Sequence, residues 1–283
     1  MDLSELKLCK AKLYQRGCPL PDVEGKVKEE IKPLLCGIKP GARIALAVGS
    51  RGIANIGLIV KAVADSLKSA GAAPFIIPAM GSHGGAAAAG QAELLEGYGI
   101  SERAMGIPVL SSMETEYIGD AGGFPAFPVY MDKHACSSDG VVVINRVKAH
   151  TDFHGPHESG IVKMLVIGLG KHKQAELMHK FGADGLRDLI PVAAGKVLGT
   201  GKIWGGLSIV EDGFDDTADI VFSGPETLFE TDAALLARSK ELMAKLPFER
   251  IDALVVDNMG KDVSGTGMDP NVIGRMRIAG QAD

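Results

Sequence analysis

The sequence contains no basic block. Its 30 Lys and Arg are scattered among 35 Asp and Glu, for a formal net charge of −5. Phosphate backbones require clustered positive charge, so nucleic acid is not expected as a partner. Long apolar runs are missing too: the longest, such as Met164 to Gly170, fall far short of the ~20 residues needed to span a bilayer, and no membrane partner is expected. The start, Met-Asp-Leu-Ser-Glu-Leu-Lys, carries acidic residues where an export signal has a basic start and an apolar stretch; the expectation is a cytoplasmic protein. Cysteine is scarce. Cys9, Cys18, Cys36 and Cys136 have neither the paired spacing of a zinc site nor the density of a disulfide scaffold, and read as reduced thiols. His-Glu-x-x-His is absent, which disfavours a metalloprotease. No Gly-x-Gly-x-x-Gly follows the first strand, which argues against a nicotinamide-dependent oxidoreductase.

Apolar residues and glycine are plentiful. At 46% apolar, the chain can bury a large core, and its 37 glycines cluster beside charged and imidazole side chains, where a backbone without Cβ can approach a ligand closely. Arg43 to Val48 is a short β-rich run, Ile56 to Ser69 carries apolar side chains at helical spacing, and Pro74 to Pro78 resumes strand character, which together make a βαβ unit. An alanine-rich helix is expected from Gly84 to Tyr98. Gly140 to Asn145 is apolar on both faces, as a buried parallel strand should be. Helices follow at Lys173 to Phe181 and Asp184 to Val197, strands at Lys202 to Val210 and Ile220 to Ser223, and a helix from Glu226 to Leu246, closed by Pro247. The fold class implied is α/β, Rossmann-like, a mostly parallel sheet with flanking helices. Ile251 to Asp257 reads as the opening of a second α/β domain. The expected organisation is one domain over 1–246 and the beginning of another over 247–283.

In an open parallel sheet, ligands bind beyond the carboxyl ends of the strands, where loops and helix amino termini gather. Three strands deliver chemistry to that edge: Arg51 follows the first, His83 within Gly81-Ser82-His83-Gly84-Gly85 the second, and Asn145, Arg146, Lys148 and His150 the third. The next segment carries His150, His154 and His157 with Asp152 and Glu158, and reads either as a transition-metal loop or as a solvated one. Lys163 stands at the mouth of the apolar stretch Met164 to Gly170, where a desolvated amine can react or pair with an anion. Gly168-Leu-Gly170-Lys171 leads into a helix and offers free backbone amides to a phosphate, though it is not a Walker loop. His179, beside Met178 and Phe181, reads by itself as a surface or packed histidine.

Together these segments resemble the nickel-dependent lactate racemases, from about Arg43 to Arg275. Arg51 matches the family's phosphate-binding arginine, Gly81-Ser82-His83 its first histidine, His150 its second, and Ser159-Gly160-Ile-Val-Lys163 its lysine run; His179 lies sixteen residues after Lys163, the family's spacing to its metal-binding histidine. The resemblance implies a nickel-pincer pyridinium mononucleotide joined to Lys163, held by Arg51, Ser82, Ser159 and Gly160, with His179 on nickel and His83 and His150 as acid and base. It implies a racemase or epimerase of a 2-hydroxy acid, which moves a hydride to and from the cofactor, and cofactor-maturation enzymes as partners. A homo-oligomer is left open. Val48 stands where the family has an acidic residue, and Ile161 where it has glycine. The interval from His150 to Lys163 is longer than usual, which leaves His154 and His157 as alternatives to His150. Lys261 and Arg275 are candidates, by charge and loop position, to grip the substrate carboxylate. The remaining readings are a carrier that holds the nucleotide without turnover and a nicotinamide-dependent oxidoreductase.

Overall fold

Alternate residues of the first strand, β1 (Arg43–Val48), face two different cores: Ala45 and Ala47 belong to one, Ile44, Leu46 and Val48 to the other. That period of two inside a continuous apolar run is what burial on both faces of a sheet demands. The computed structural model describes residues 9–15, 17–50, 52–122, 126–260, 264 and 267–274, the side chain of residue 184 excepted. Before β1 come helices α1 (Val23–Glu30) and α2 (Lys32–Leu35); after it come α3 (Ile56–Ser69), β2 (Ala73–Pro78), α4 (Ala88–Gly97) and α5 (Glu102–Met105). A hairpin of β3 (Thr115–Ala121) and β4 (Phe127–Asp132) precedes α6 (Lys133–Cys136) and β5 (Gly140–Arg146). The single turn α7 (Ile161–Lys163) runs into a π-helical turn (Met164–Gly168), then α8 (Lys171–His179), α9 (Gly182–Leu198), β6 (Ile203–Glu211), β7 (Thr217–Ser223), α10 (Leu228–Leu242) and α11 (Pro270–Ile273).

The main sheet has the order β2-β1-β5-β6-β7, with β7 antiparallel to β6 and every other pairing parallel. The chain is therefore an α/β protein, its mostly parallel sheet flanked by helices. One face packs against α7, the π-helical turn, α8, α9 and the hairpin; the other packs against α1, α3 and α4. Val147, Val210, Leu235, Leu236 and Leu242 form a smaller cluster under α10. Among the described residues, no helix is long and apolar enough to cross a membrane.

Several expected boundaries move. Gly84 and Gly85, both at positive φ, break the helix expected from Gly84 into a 3-10 turn and a helix that starts at Ala88. The helix expected to reach Leu246 ends at Leu242, because Met243 turns extended with ψ 141°. Ile251 to Asp257 forms no strand. Among the described residues no strand pairs with it, and Val255 is left 89% exposed. All four cysteines are free, and burial pushes the Cys136 thiol up to about 11, which makes it a poor nucleophile.

Candidate functional site

Because β1, β2, β5 and β6 are parallel, the loops after them share one edge of the sheet. A cleft of about 1350 Å³ opens there, lined by Ser50, His83, Arg146, Lys148 and Glu211 at the strand ends, with Leu254 and Val256 among its apolar walls. Gly84 holds the turn beneath His83. Its φ is +64°, and a Cβ there would lie 2.6 Å from the backbone of Gly90, so only glycine lets the turn meet α4. Ser50 Oγ lies 2.5 Å from His83 Nδ1. Gln91 of α4, fully buried, donates its Nε2 to the carbonyls of Gly81 at 2.9 Å and His83 at 3.2 Å. Arg146 pairs through Nη1 with Glu211 Oε2, and the second oxygen of Glu211 accepts from Ala54 N at 2.7 Å.

On the far side of the same turn, Ser82 shares a hollow of about 390 Å³ with His179 and Glu176 of α8. His179 is open to solvent on one side, yet its pKa is held below the ordinary imidazole value. Partial burial contributes most, then repulsion by the Lys163 cation, with Asp152 pulling the other way. The ring is thereby kept neutral, the form that binds a metal. Lys163→Ala is expected to raise the His179 pKa toward its ordinary value and Asp152→Asn to lower it further, in an NMR pH titration of the imidazole. Since a depressed histidine is protonated more readily when unfolded, its contribution to stability fades as pH falls through the unfolded value toward the folded one.

The three loop histidines do not converge. His150 packs on Phe153 with ring centroids 4.5 Å apart; its backbone N–H donates to Glu158 Oε2 at 2.7 Å and its carbonyl accepts from Asn271. His150 Nδ1 accepts from Asp152 N at 3.0 Å, so while that bond holds the neutral ring carries its proton on Nε2. His154 Nδ1 lies 3.4 Å from Glu158 Oε1, which also pairs with Lys240 at 2.6 Å. His157 Nδ1 lies 3.2 Å from the buried carboxylate of Asp232, and its ring meets Phe229 edge-on. Among the described residues, no three His, Cys, Asp or Glu side chains come together to hold a metal.

Asp232 reaches across from α10 to cap the segment that carries Lys163. Its Oδ1 accepts from Ile161 N at 2.6 Å and Val162 N at 3.4 Å. A Cβ on Gly160 would stand 2.1 Å from that same oxygen, which explains glycine there. The neighbouring Ser159 exchanges both backbone hydrogen bonds with Lys148. The structure thus brings His83 together with Arg146 and Lys148 along one cleft and Ser82 together with His179 in the hollow, where the charge of Lys163 is felt by the His179 ring. His150 lies along neither cavity wall. Arg51, Lys261 and Arg275 lie outside the described residues. Sequence reasoning missed Ser50, Gln91, Glu211 and Asp232; only the placement of Ser50 at a strand end could have drawn notice.

No protein-family model and no curated protein sequence matches the chain. A solved structure does share its architecture: the lactate racemase apoprotein from Thermoanaerobacterium thermosaccharolyticum, with a TM-score of 0.57 over 80% of this chain. The chain has a lactate-racemase-like fold. Identity across the match is 13%, and the chain spans 57% of the length of that protein.

Proposed function

We propose that this chain holds a nickel-pincer nucleotide and takes part in racemising or epimerising a 2-hydroxy acid. The observation that carries the reading is the cleft at the strand ends that presents His83 with two cationic side chains, beside a hollow shared by Ser82 and His179. The donor set fits such a group: one imidazole whose lowered pKa favours the neutral form that ligates nickel, one primary amine for a covalent link, and a glycine turn at positive φ beside them. His179 would hold the metal and Lys163 would anchor the nucleotide, with Arg51, Ser82, Ser159 and Gly160 around it. When bound, the group supplies an acceptor for the carbinol hydrogen and its electron pair, and returns them.

The rest falls to the protein. His83 takes the hydroxyl proton at a ring nitrogen as the carbinol C–H bond breaks, and gives a proton back when that bond re-forms. Lys148 and Arg146 bring positive charge to the cleft for the carboxylate. The resemblance gives His150 the matching role for the other enantiomer, while in this structure its ring lines neither cavity and its Nδ1 accepts from Asp152 N.

The test is chiral chromatography of single enantiomers of 2-hydroxy acids, incubated with protein coexpressed with cofactor-maturation enzymes and without added nicotinamide. Conversion to both stereoisomers is expected, slowed about 100-fold or more in His83→Gln. A panel left unchanged by cofactor-loaded protein overturns the enzymatic reading and leaves a carrier; activity that needs added nicotinamide revives an oxidoreductase.

A further inference from the structure

We propose that Ser50 is a positioning residue that fixes the tautomer of His83: its Oγ accepts the Nδ1–H, which leaves the lone pair on Nε2. The inference rests on the reading of His83 as acid and base given above. Ser50 Oγ and His83 Nδ1 are 2.5 Å apart, and both residues line the large cleft. The backbone beneath the ring is clamped independently, because buried Gln91 holds the carbonyls of Gly81 and His83. That clamp acts on the backbone; which ring nitrogen carries the proton is decided at the side chain.

A serine hydroxyl can donate to Nδ1 or accept from it, and the two arrangements have opposite consequences. If Ser50 donated, the neutral ring would carry its proton on Nε2 and have no lone pair there to take one from a substrate. An imidazole that gains and loses a proton at Nε2 keeps Nδ1–H in both charge states. Only an acceptor at Nδ1 serves both, and the serine oxygen is such an acceptor. His150 shows the contrasting arrangement, since a backbone N–H donates to its Nδ1. The two histidines are therefore set in opposite tautomers, with His83 ready to take a proton and His150 a hydrogen-bond donor until its own contact opens.

The test is long-range proton–nitrogen NMR of the ¹⁵N-labelled full chain without cofactor, at a pH where the rings are neutral, with His83 signals assigned by their loss in His83→Gln. Wild type is expected to show protonated Nδ1 and unprotonated Nε2 at His83. Ser50→Thr, which keeps the hydroxyl, should retain that pattern, and Ser50→Ala should shift it to the Nε2–H form. A wild-type ring already in the Nε2–H form, or one indifferent to Ser50→Ala in a folded chain, would overturn the proposal. The readout needs no turnover. The expected tautomer pattern without racemisation would therefore count against the enzymatic reading alone.

Discussion

Lys171→Met is expected to destabilise the fold by about 3–5 kcal/mol. Lys171 has no solvent exposure, its Nζ donates to the carbonyl of Pro78, and it lies 2.9 Å from Asp132 Oδ2. Burial pulls the lysine pKa down while Asp132 supports the charge. Lys171 also sits at φ +56°, a conformation costly for a side chain and held only by its surroundings. Removal of the cation strands the Asp132 carboxylate in the core and leaves the Pro78 carbonyl without its donor. Asp132 Oδ1 also caps α6 through His134 N at 2.7 Å and Ala135 N at 3.0 Å, a role asparagine can keep. The double variant Lys171→Met, Asp132→Asn should thus recover most of the loss, since no unpaired charge remains. Urea denaturation of the two singles and the double measures the coupling; a single-variant loss under about 1 kcal/mol would mean the pair is neither charged nor well buried.

The second large effect is expected at Asp232. Asp232→Ala should cost about 2–4 kcal/mol, because the buried amides of Ile161 and Val162 lose their acceptor and His157 loses its partner. Asp232→Asn, which keeps an oxygen at the cap, should lose markedly less. The consequence reaches Lys163, which ends that helical turn: amide hydrogen exchange at Ile161 and Val162 should quicken in Asp232→Ala while the β1 amides stay protected. Unchanged exchange at these two amides would show that the turn is held by its apolar packing alone.

The sheet was legible in the sequence because its strands are buried on both faces, so β1, β2 and β5 appear as short apolar runs and β6 as a β-rich run broken by Gly205, Gly206 and Ser208, each within a residue or two of its observed bounds. The β3–β4 hairpin was not, since β3 is largely exposed and its mixed pattern gives no clear period. Ile251 to Asp257 has strand composition but no partner strand, and composition alone cannot supply the missing hydrogen bonds. At the site, placement at the strand ends brought His83, Arg146 and Lys148 into view, because position follows from topology. The partners that orient these groups were hidden. Ser50 meets His83 across 33 residues, Glu211 meets Arg146 across 65, and Asp232 meets Ile161 across 71, and no local spacing encodes such contacts. In the histidine-rich loop the partners were hidden for the same reason: His154 and His157 turn to separate carboxylates, Glu158 and Asp232, and His150 to Phe153 and the Asp152 amide.

Lys163 and His179 are proposed to hold a nickel-bearing nucleotide. Intact mass and nickel content of the chain, coexpressed with the enzymes that make the cofactor, test it most directly when wild type is set beside Lys163→Ala. The expected result is a nickel-containing adduct on wild type that Lys163→Ala lacks. No adduct and no nickel on wild type from cofactor-producing cells would contradict it.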